Sequence, residues 1–576
     1  MSVCRADITR LILAGFLLAG SAQAQPPSRP EPFDPDTMEM AEPANIDRSA
    51  SVEVNNLKAP NAESFGILDN ASGGFGPMMW NGASVKVVRA LLPQLPTADG
   101  SRTVRSLERR LLLSAANSPE GAVEGDRPSL LELRAERLMA LGDLDGVLSL
   151  ASAAPASLKG SLLDKIKLDA LLLSGNLSGA CSETKRQLGA NISPETPLFK
   201  AMTLCHFVGG NALQGNMGLE MLRERKDGDA AFITAAEVVS GLPLLPNAKV
   251  TLDDLSPLHL AAFQAAKLAV PASAAAKANQ AEARALTLSA ANSIEVRLAA
   301  AEQAEAWGSL PTDALRKIYQ ETQFTTADLT NPLTQVDMAG PRARALLFRA
   351  ATDQADPQIR AALVVKALEM AAARGQLPAA GRIFSPFIAA LQPDPTMLPH
   401  AALIARTLFS DGNGERARLW LEAARSDPQQ AKSVAALWPY LAVTAPDLAQ
   451  SFPLSAYQAW RATLDSLPPE QIARRTSLVL GSLSGLGLKI PDMLWLDTLS
   501  LPSAGPRPGL FAMMQGAALE GRVGSTVLTA LVNLGSQTLD KVDSLTLSES
   551  VSALSVVDLG QDARKLVIET LFANGI

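Results

Sequence analysis

Apolar side chains recur along most of the chain at the spacing of an amphipathic helix. Between residues 101 and 116, Val104, Leu107, Leu111 and Leu112 form one stripe, and charged residues occupy many of the other positions. Positions i, i+3, i+7 and i+8 lie on one face of a helix with 3.6 residues per turn. Strand-like runs of β-branched or aromatic residues are scarce. The pattern therefore predicts an all-α protein.

Glycine follows several of these helical runs at a nearly constant interval. Gly142, Gly175 and Gly210, each followed by Asp or Asn, are 33 and 35 residues apart. Glycine adopts the left-handed conformation that ends many helices, and a period near 34 residues is typical of stacked helix–turn–helix hairpins. Because each hairpin in such a stack packs only on its neighbours, a long chain can share one continuous core. We therefore predict an α-solenoid of degenerate helical hairpins.

The regularity of this pattern divides the chain into segments. Residues 100–240 and 331–576 carry clear hairpins and predict N-terminal and C-terminal helical repeats. Residues 241–330 contain a proline-rich stretch and Ala-rich helices with weak stripes, which predict an irregular helical connector. The connector is either a hinge or a set of degenerate repeats. Residues 497–510 are rich in proline and glycine and predict an exposed loop.

Residues 1–24 have the pattern of a secretory signal peptide. Two arginines precede an apolar run of ten residues, and a small-x-small cleavage pattern ends at Ala24. An apolar run of this length is too short to span a bilayer. We expect cleavage after Ala24, export, and a periplasmic location, with an uncleaved anchor as the alternative.

Two segments of different composition separate the signal peptide from the first hairpin. Residues 25–62 are rich in proline and acidic residues and predict a disordered tether. Residues 63–99 combine a Gly-rich apolar loop with a short amphipathic helix that begins near Val85. The loop contains four large apolar side chains, Phe75, Met78, Met79 and Trp80. It either caps the first hairpin or is a partner-docking motif, since methionine-rich patches adapt to different contacts.

Two cysteines remain after removal of the signal peptide, Cys181 and Cys205. In an oxidising compartment such a pair predicts one disulfide, and two separate buried thiols are the alternative. No metal site is expected, because His206 beside Cys205 has no further ligand at a metal-binding spacing. No cofactor is expected either.

The composition limits the classes of partner. The chain has 51 basic and 58 acidic residues and a net charge of −7, which disfavours nucleic acid and anionic membranes. No later stretch reaches about 18 consecutive apolar residues, so we expect no membrane span. The oligomeric state is not determined by these properties.

We find no motif that predicts catalysis. Ser182 and Lys185 match Ser-x-x-Lys, but the companion motifs of the β-lactamases and penicillin-binding proteins are absent. Residues 481–485 read Gly-Ser-Leu-Ser-Gly, with Leu483 where a nucleophile elbow has serine. Since only three histidines are present, none with a clustered partner, we expect a protein that is not an enzyme.

The hairpins resemble the tetratricopeptide-like group of helical repeats. That pattern has a glycine turn after the first helix, small residues inside the second and a proline at its end. Gly412, Ala417, Ala424 and Pro428 match it, although the usual aromatic positions are mostly Leu, Ala or Met. The order of signal peptide, tether and Ala/Leu-rich helices is similar to uncharacterised exported envelope proteins of alphaproteobacteria. The resemblance implies a stacked solenoid with a concave face that binds other proteins.

Two hypotheses of function follow. The first is a non-enzymatic periplasmic scaffold or regulator that binds an unidentified protein of the cell envelope. The alternative is a carbohydrate-binding accessory protein for peptidoglycan or exported polysaccharide. Trp420, Trp438 and Trp460 recur at intervals typical of a solenoid. They would line a sugar-binding groove under the alternative and would be core residues under the first hypothesis.

Overall fold

The computed structural model describes the chain from residue 61 onward, with short gaps. The residues that it describes are 61–97, 100–158, 161–190, 196–225, 228–244, 252, 254–334, 340–425, 427–445, 452–499, 501, 505, 507–535 and 537–576. The predicted signal peptide, and all but the last two residues of the predicted tether, lie outside this part of the chain.

The described residues form an all-helical structure, which confirms the predicted fold class. They contain 28 α-helices and six short 3-10 helices. The only β-type pairings among them are two isolated bridges, between Leu68 and Ser114 and between Ser84 and Glu120. In this part of the chain, no helix is both long and apolar enough to cross a bilayer.

The N-terminal part is a row of three helical hairpins preceded by two helices. Its helices are α1 (Val85–Leu91), α2 (Arg102–Leu113), α3 (Leu130–Ala140), α4 (Leu144–Ala153), α5 (Ser161–Leu173), α6 (Leu177–Ala190), α7 (Thr196–Val208) and α8 (Ala212–Glu224), with 3-10 helices at Leu92–Gln94 and Ala156–Leu158. The pairs α3–α4, α5–α6 and α7–α8 pack side by side. The second helix of one hairpin contacts the first of the next, as α4 with α5 and α6 with α7.

One type of turn closes all three hairpins. Gly142 has a φ of +67°, and its N–H donates to the carbonyl of Met139 at 2.9 Å. The next amide, of Asp143, donates to the carbonyl of Leu138 at 2.9 Å. This bond pair defines the Schellman ending, and it recurs after α5 and α7, whose glycines have φ of +74° and +78°. The predicted glycine turns are confirmed.

The chain then returns across the hairpins. The helices of this part are α9 (Ala230–Val239), α10 (Pro257–Ala265), α11 (Ala272–Ala275), α12 (Gln280–Leu286), α13 (Ile294–Trp307), α14 (Thr312–Glu321) and α15 (Thr326–Thr330), with a 3-10 helix at Pro332–Thr334. Helices α9 and α10 contact α7, α10 and α12 contact α5, and α12 contacts α3. The first helices of the three hairpins are therefore covered in reverse order by α9, α10 and α12, of which α10 and α12 lie within the predicted connector.

The C-terminal part consists of further helices, most of which pack against the next helix in the chain. They are α16 (Pro341–Asp353), α17 (Pro357–Ala372), α18 (Leu377–Ile388), α19 (Ala401–Ser410), α20 (Gly414–Arg425), α21 (Ala431–Ala436), α22 (Trp438–Thr444), α23 (Leu454–Ala462), α24 (Pro469–Gly485), α25 (Pro508–Leu519), α26 (Val523–Leu534), α27 (Ser544–Val556) and α28 (Gly560–Ala573). The 3-10 helices are Leu398–His400, Pro428–Gln430 and Asp492–Thr498. The predicted loop 497–510 thus overlaps the end of one 3-10 helix and the start of α25.

Helix α2, near the start of the described fold, packs against helices at its C-terminal end. Helix α2 contacts α26 and α28, and Arg110 on α2 pairs with Asp562 on α28 at 2.8 Å. The N–H of Gly524 on α26 donates to the carbonyl of Met79 at 3.1 Å. In an open stack each hairpin contacts only its neighbours. These contacts join helices that are far apart in the sequence, which the repeat pattern does not predict. The solenoid architecture therefore stays a prediction.

A disulfide joins two neighbouring hairpins of the N-terminal row. Cys181 on α6 is bonded to Cys205 on α7, and their Cα atoms are 5.4 Å apart. The predicted pairing is confirmed. Because α6 is the second helix of its hairpin and α7 the first of the next, the bond crosslinks the interface between two hairpins.

Candidate protein-binding surface

The apolar loop that precedes α1 is mostly part of the core. The side chains of Met79 and Trp80 are only 1% and 3% exposed. Phe75 is partly buried, and the guanidinium of Arg110 lies 4.4 Å from the centre of its ring. Met78 is 59% exposed. The proposed docking motif is thus corrected for Met79 and Trp80, whose side chains pack inside the fold, and it stays a prediction for Met78.

The three tryptophans at solenoid spacing are also core residues. Trp420, Trp438 and Trp460 are 1%, 6% and 1% exposed. The rings of Trp438 and Trp460 are 5.8 Å apart, and Tyr457 packs against both. These rings therefore do not line an exposed sugar-binding groove, because all three are buried in the core.

The outer face of α8 carries an exposed stripe of apolar side chains. Leu213, Met217 and Met221 are 76%, 59% and 41% exposed. They are spaced i, i+4 and i+8 and therefore lie on one face of the helix. We call these three residues the α8 stripe. Scattered exposed apolar residues are normal on a protein surface, whereas contiguous ones mark interaction sites.

The two earlier hairpins carry polar or small residues at the equivalent positions. Alignment of the three turn glycines gives as equivalents Asp145, Ser149 and Ala153 on α4, and Ser178, Ser182 and Arg186 on α6. All six are exposed, as are the three residues of the α8 stripe. The position is thus on the surface in every hairpin, and only α8 fills it with large apolar side chains. Burial within this chain does not account for that difference.

Helix α8 also ends the row of hairpins. Ala212 and Asn216 are exposed, whereas their equivalents on α4 and α6 are buried or partly buried. The reason is that α5 follows α4 and α7 follows α6, but the chain after α8 turns back toward α7 and α10 through α9. In the part of the chain that the structure describes, the side of α8 on which another hairpin would pack is therefore exposed at Ala212 and Asn216, and it adjoins the α8 stripe.

The opposite face of α8 holds the helix close to α7. A Cβ added to Gly215 would lie 2.5 Å from the ring of Phe207, and one added to Gly218 would lie 2.4 Å from the hydroxyl of Thr203. Only glycine permits this approach of the two helices. Since Cys205 crosslinks α7 to α6, the α8 stripe is presented on a braced pair of hairpins.

The charges around the stripe are uneven. Near the C-terminal end of α8, Arg223 pairs with Glu220 at 2.5 Å and with Glu237 on α9. The neighbouring exposed side chains in the first half of the helix, Gln214 and Asn216, are uncharged. An apolar centre beside a polar rim is the usual organisation of a protein interface.

A cavity of about 430 Å³ lies where α2, α18, α19 and α28 meet. Several charged groups around it are bound by other side chains of the protein. Arg102 and Arg382 both bind Glu305, and Glu569 accepts hydrogen bonds from Ser101 and Thr103. Among the described residues, no three His, Cys, Asp or Glu side chains are grouped so that they could hold a metal ion. The cavity therefore belongs to the joint between α2 and α28.

Sequence reasoning missed the α8 stripe, although its signal was present. Leu213, Met217 and Met221 have the spacing of a helix face. A buried apolar stripe has the same spacing in the sequence. Only the position of α8 at the end of the row shows that these three side chains are exposed. The chain matches no protein-family model, no curated protein and no solved structure with which it was compared.

Proposed function

We propose that this protein is a helical-repeat scaffold that binds another protein through the α8 stripe. The observation that carries the proposal is the contrast at three equivalent positions of the hairpins, where the residues are polar or small on α4 and α6 but large, apolar and exposed on α8. Removal of apolar surface from water contributes about 25 cal/mol per Å². Two methionines in the stripe would let it adapt to the shape of its partner.

The partner that fits this surface is an amphipathic helix. Within the row, the second helix of a hairpin packs on the first helix of the following one. The open side of α8 corresponds to the place of such a following helix. A helix from another protein with apolar residues at i, i+3, i+4 and i+7 would continue the packing that already holds the row together.

The location and family of the protein belong to the same proposal. The predicted signal peptide and the Cys181–Cys205 disulfide both support an oxidising, exported environment, here the periplasm. The partner would then be a protein of the cell envelope. The glycine-closed hairpins support the likeness to tetratricopeptide-like repeats. The carbohydrate-binding hypothesis has less support, since the tryptophans on which it depended are buried.

The test replaces the stripe with the residues that α6 carries at the same positions. The triple variant Leu213→Ser, Met217→Ser and Met221→Arg should fold normally, because these residues are already tolerated on α6. A photo-crosslinking amino acid at Gln214, beside the stripe, would be placed in otherwise wild-type protein and in the triple variant. The matched control is Leu519→Ser, which removes a single exposed leucine, 81% accessible, from the end of α25.

We expect one envelope protein to be crosslinked in the source organism, with the crosslink mapped to an amphipathic helix of that protein. The triple variant should lose this product and the control should keep it. Two outcomes would contradict the proposal. One is a crosslinked product that survives the triple variant, and the other is a crosslink only to a second copy of this chain.

A further inference from the structure

Four side chains form a continuous hydrogen-bonded chain, three of them at the starts of the helices that return across the hairpins and the fourth on α7. The hydroxyl of Ser256 lies 2.9 Å from Nδ1 of His259. The other ring nitrogen of His259, Nε2, lies 2.9 Å from Oδ1 of Asp229. The remaining carboxylate oxygen of Asp229 accepts a hydrogen bond from the ammonium of Lys200 at 2.8 Å.

Helix starts position this array. Asp229 is the N-cap of α9 and accepts from the amide of Phe232 at 3.0 Å. Ser256 is the N-cap of α10 and accepts from the amide of His259 at 3.2 Å. Because α9 packs against both α7 and α10, the two caps meet beside Lys200 of α7. Each of these side chains is therefore held by a second bond to fixed backbone or to another charge.

The protonation states follow from the partners. Burial raises the pKa of Asp229, but hydrogen bonds from His259, Lys200 and the amide of Phe232 outweigh it and lower that pKa. An ionised carboxylate can only accept a hydrogen bond, so Nε2 of His259 carries the proton that it shares with Asp229. In neutral His259 the other nitrogen, Nδ1, is then an acceptor for the hydroxyl proton of Ser256.

We propose that Ser256 is an activated nucleophile for acyl transfer from small esters, with His259 as its general base and Asp229 as the positioning residue. The arrangement is a serine–histidine–carboxylate relay in which the two ring nitrogens have exchanged roles relative to the usual order. This activity is independent of the α8 stripe, and it departs from the sequence-based expectation that the protein is not an enzyme.

The chemical step balances without a cofactor. The oxygen of Ser256 attacks the carbonyl carbon of the ester while its proton passes to Nδ1 of His259. Collapse of the tetrahedral intermediate breaks the bond to the alcohol, which leaves with that proton. Water then attacks the acyl-serine by the same route and releases the carboxylic acid. Helix α10 begins at Pro257, which has no N–H, so the amide of Leu258 is the first that could stabilise the oxyanion.

Exposure of the array limits the substrate to small molecules. The side chains of His259 and Asp229 are 16% and 21% exposed, and that of Lys200 is 11% exposed. Ser256 itself is partly exposed, so water and a short acyl group can approach its hydroxyl, whereas the side chains of the other three residues are largely shielded. A shielded carboxylate interacts more strongly with an imidazolium than an exposed one does, which favours proton transfer to His259.

The test uses a fluorophosphonate, which forms a covalent adduct with activated serines, and p-nitrophenyl acetate as the ester. Ser256→Asn removes the nucleophile while keeping an N-cap side chain, because Asn caps helices as well as Ser does. The matched control is Ser293→Ala, which removes the serine cap of α13, a serine that no histidine contacts among the described residues. Intact-mass and peptide analysis would locate the adduct in the full chain.

We expect one fluorophosphonate adduct, on Ser256, and about a 100-fold slower ester hydrolysis in Ser256→Asn and His259→Gln. Asp229→Asn should lower kcat and leave KM unchanged, since Asp229 acts through His259 and does not contact the ester. Ser293→Ala should behave as wild type. Absence of an adduct on Ser256 in the folded protein, or hydrolysis unchanged in Ser256→Asn, would overturn the proposal and leave the array as a device that caps α9 and α10.

Discussion

Thr103 and Glu569 join the two ends of the described fold. The amide and the hydroxyl of Thr103, in the first turn of α2, donate to the carboxylate of Glu569 at 3.1 and 3.0 Å. Glu569 lies 466 residues further along the chain, on the last helix. Ser101, the N-cap of α2, donates to the same carboxylate. Burial nevertheless raises the pKa of Glu569, since these hydrogen bonds only partly offset its desolvation.

The raised pKa predicts how this joint responds to pH. In the unfolded chain a glutamate has its ordinary pKa of 4.5, below the folded value. The stabilisation from protonated Glu569 is therefore fully present below pH 4.5 and is lost as the pH rises through the folded pKa. We expect the free energy of unfolding of wild type to fall relative to that of Glu569→Gln as the pH rises above this range. Urea unfolding of both proteins from pH 4 to 8 would measure it, and a constant difference would contradict it.

Glu305 shows the opposite pH dependence. Its side chain is 1% exposed and binds Arg102 at 2.6 Å and Arg382 at 2.9 Å. Burial raises the pKa of Glu305, but the hydrogen bond and charge of Arg382, followed by the charge of Arg102, outweigh burial and lower it. The stabilisation is present above pH 4.5 and is lost as the pH falls through the folded pKa.

Replacement of Glu305 by Ala should leave two arginines without their shared carboxylate. Loss of one partner from a buried ion pair costs about 3–5 kcal/mol, and the partial exposure of both arginines places the expected loss at the lower end. Asp313→Asn is the matched control, because Asp313 pairs with an arginine on α14 but is 87% exposed, and should change stability little. Urea unfolding at pH 7 would compare the two, and equal losses would contradict the assignment.

Gly524 should not tolerate a side chain. A Cβ added there would lie 2.5 Å from both Cγ and the carbonyl oxygen of Met79, so α26 and the loop before α1 would have to separate. We expect Gly524→Ala to destabilise the protein by about 1–3 kcal/mol through overpacking. Gly516→Ala on α25 meets nothing within 4 Å and should raise stability by up to about 1 kcal/mol, since Ala is the better helix former. Thermal unfolding of the two variants should therefore shift in opposite directions.

The disulfide between Cys181 and Cys205 should stabilise the row of hairpins that carries the α8 stripe. A loop of 24 residues corresponds to about 3 kcal/mol in the chain-entropy model. We expect dithiothreitol to lower the unfolding temperature of wild type but not that of the variant with both cysteines replaced by serine. Identical unfolding of oxidised and reduced wild type would contradict this expectation.

Local sequence determined the helices and their ends. Val104, Leu107 and Leu111 predict the buried face of α2, and all three are at most 1% exposed. Gly142 predicts a left-handed helix end, which its φ of +67° confirms. These features could be predicted from the sequence because helical periodicity and glycine conformation depend on neighbours a few residues away. The pairing of Cys181 with Cys205 was predicted for a different reason, since these are the two cysteines that follow the predicted signal peptide.

Tertiary structure alone decided which apolar positions are covered. Met79 and Leu213 look equally apolar in the sequence, yet the first is buried by α26 and the second is exposed on α8. Helix periodicity says that a face is apolar but not which element packs on it, because that depends on contacts between residues hundreds of positions apart. For the same reason the sequence did not predict the hydrogen bond between Thr103 and Glu569 or the array of Ser256, His259 and Asp229. Both form only when helices that are separate in the chain pack together.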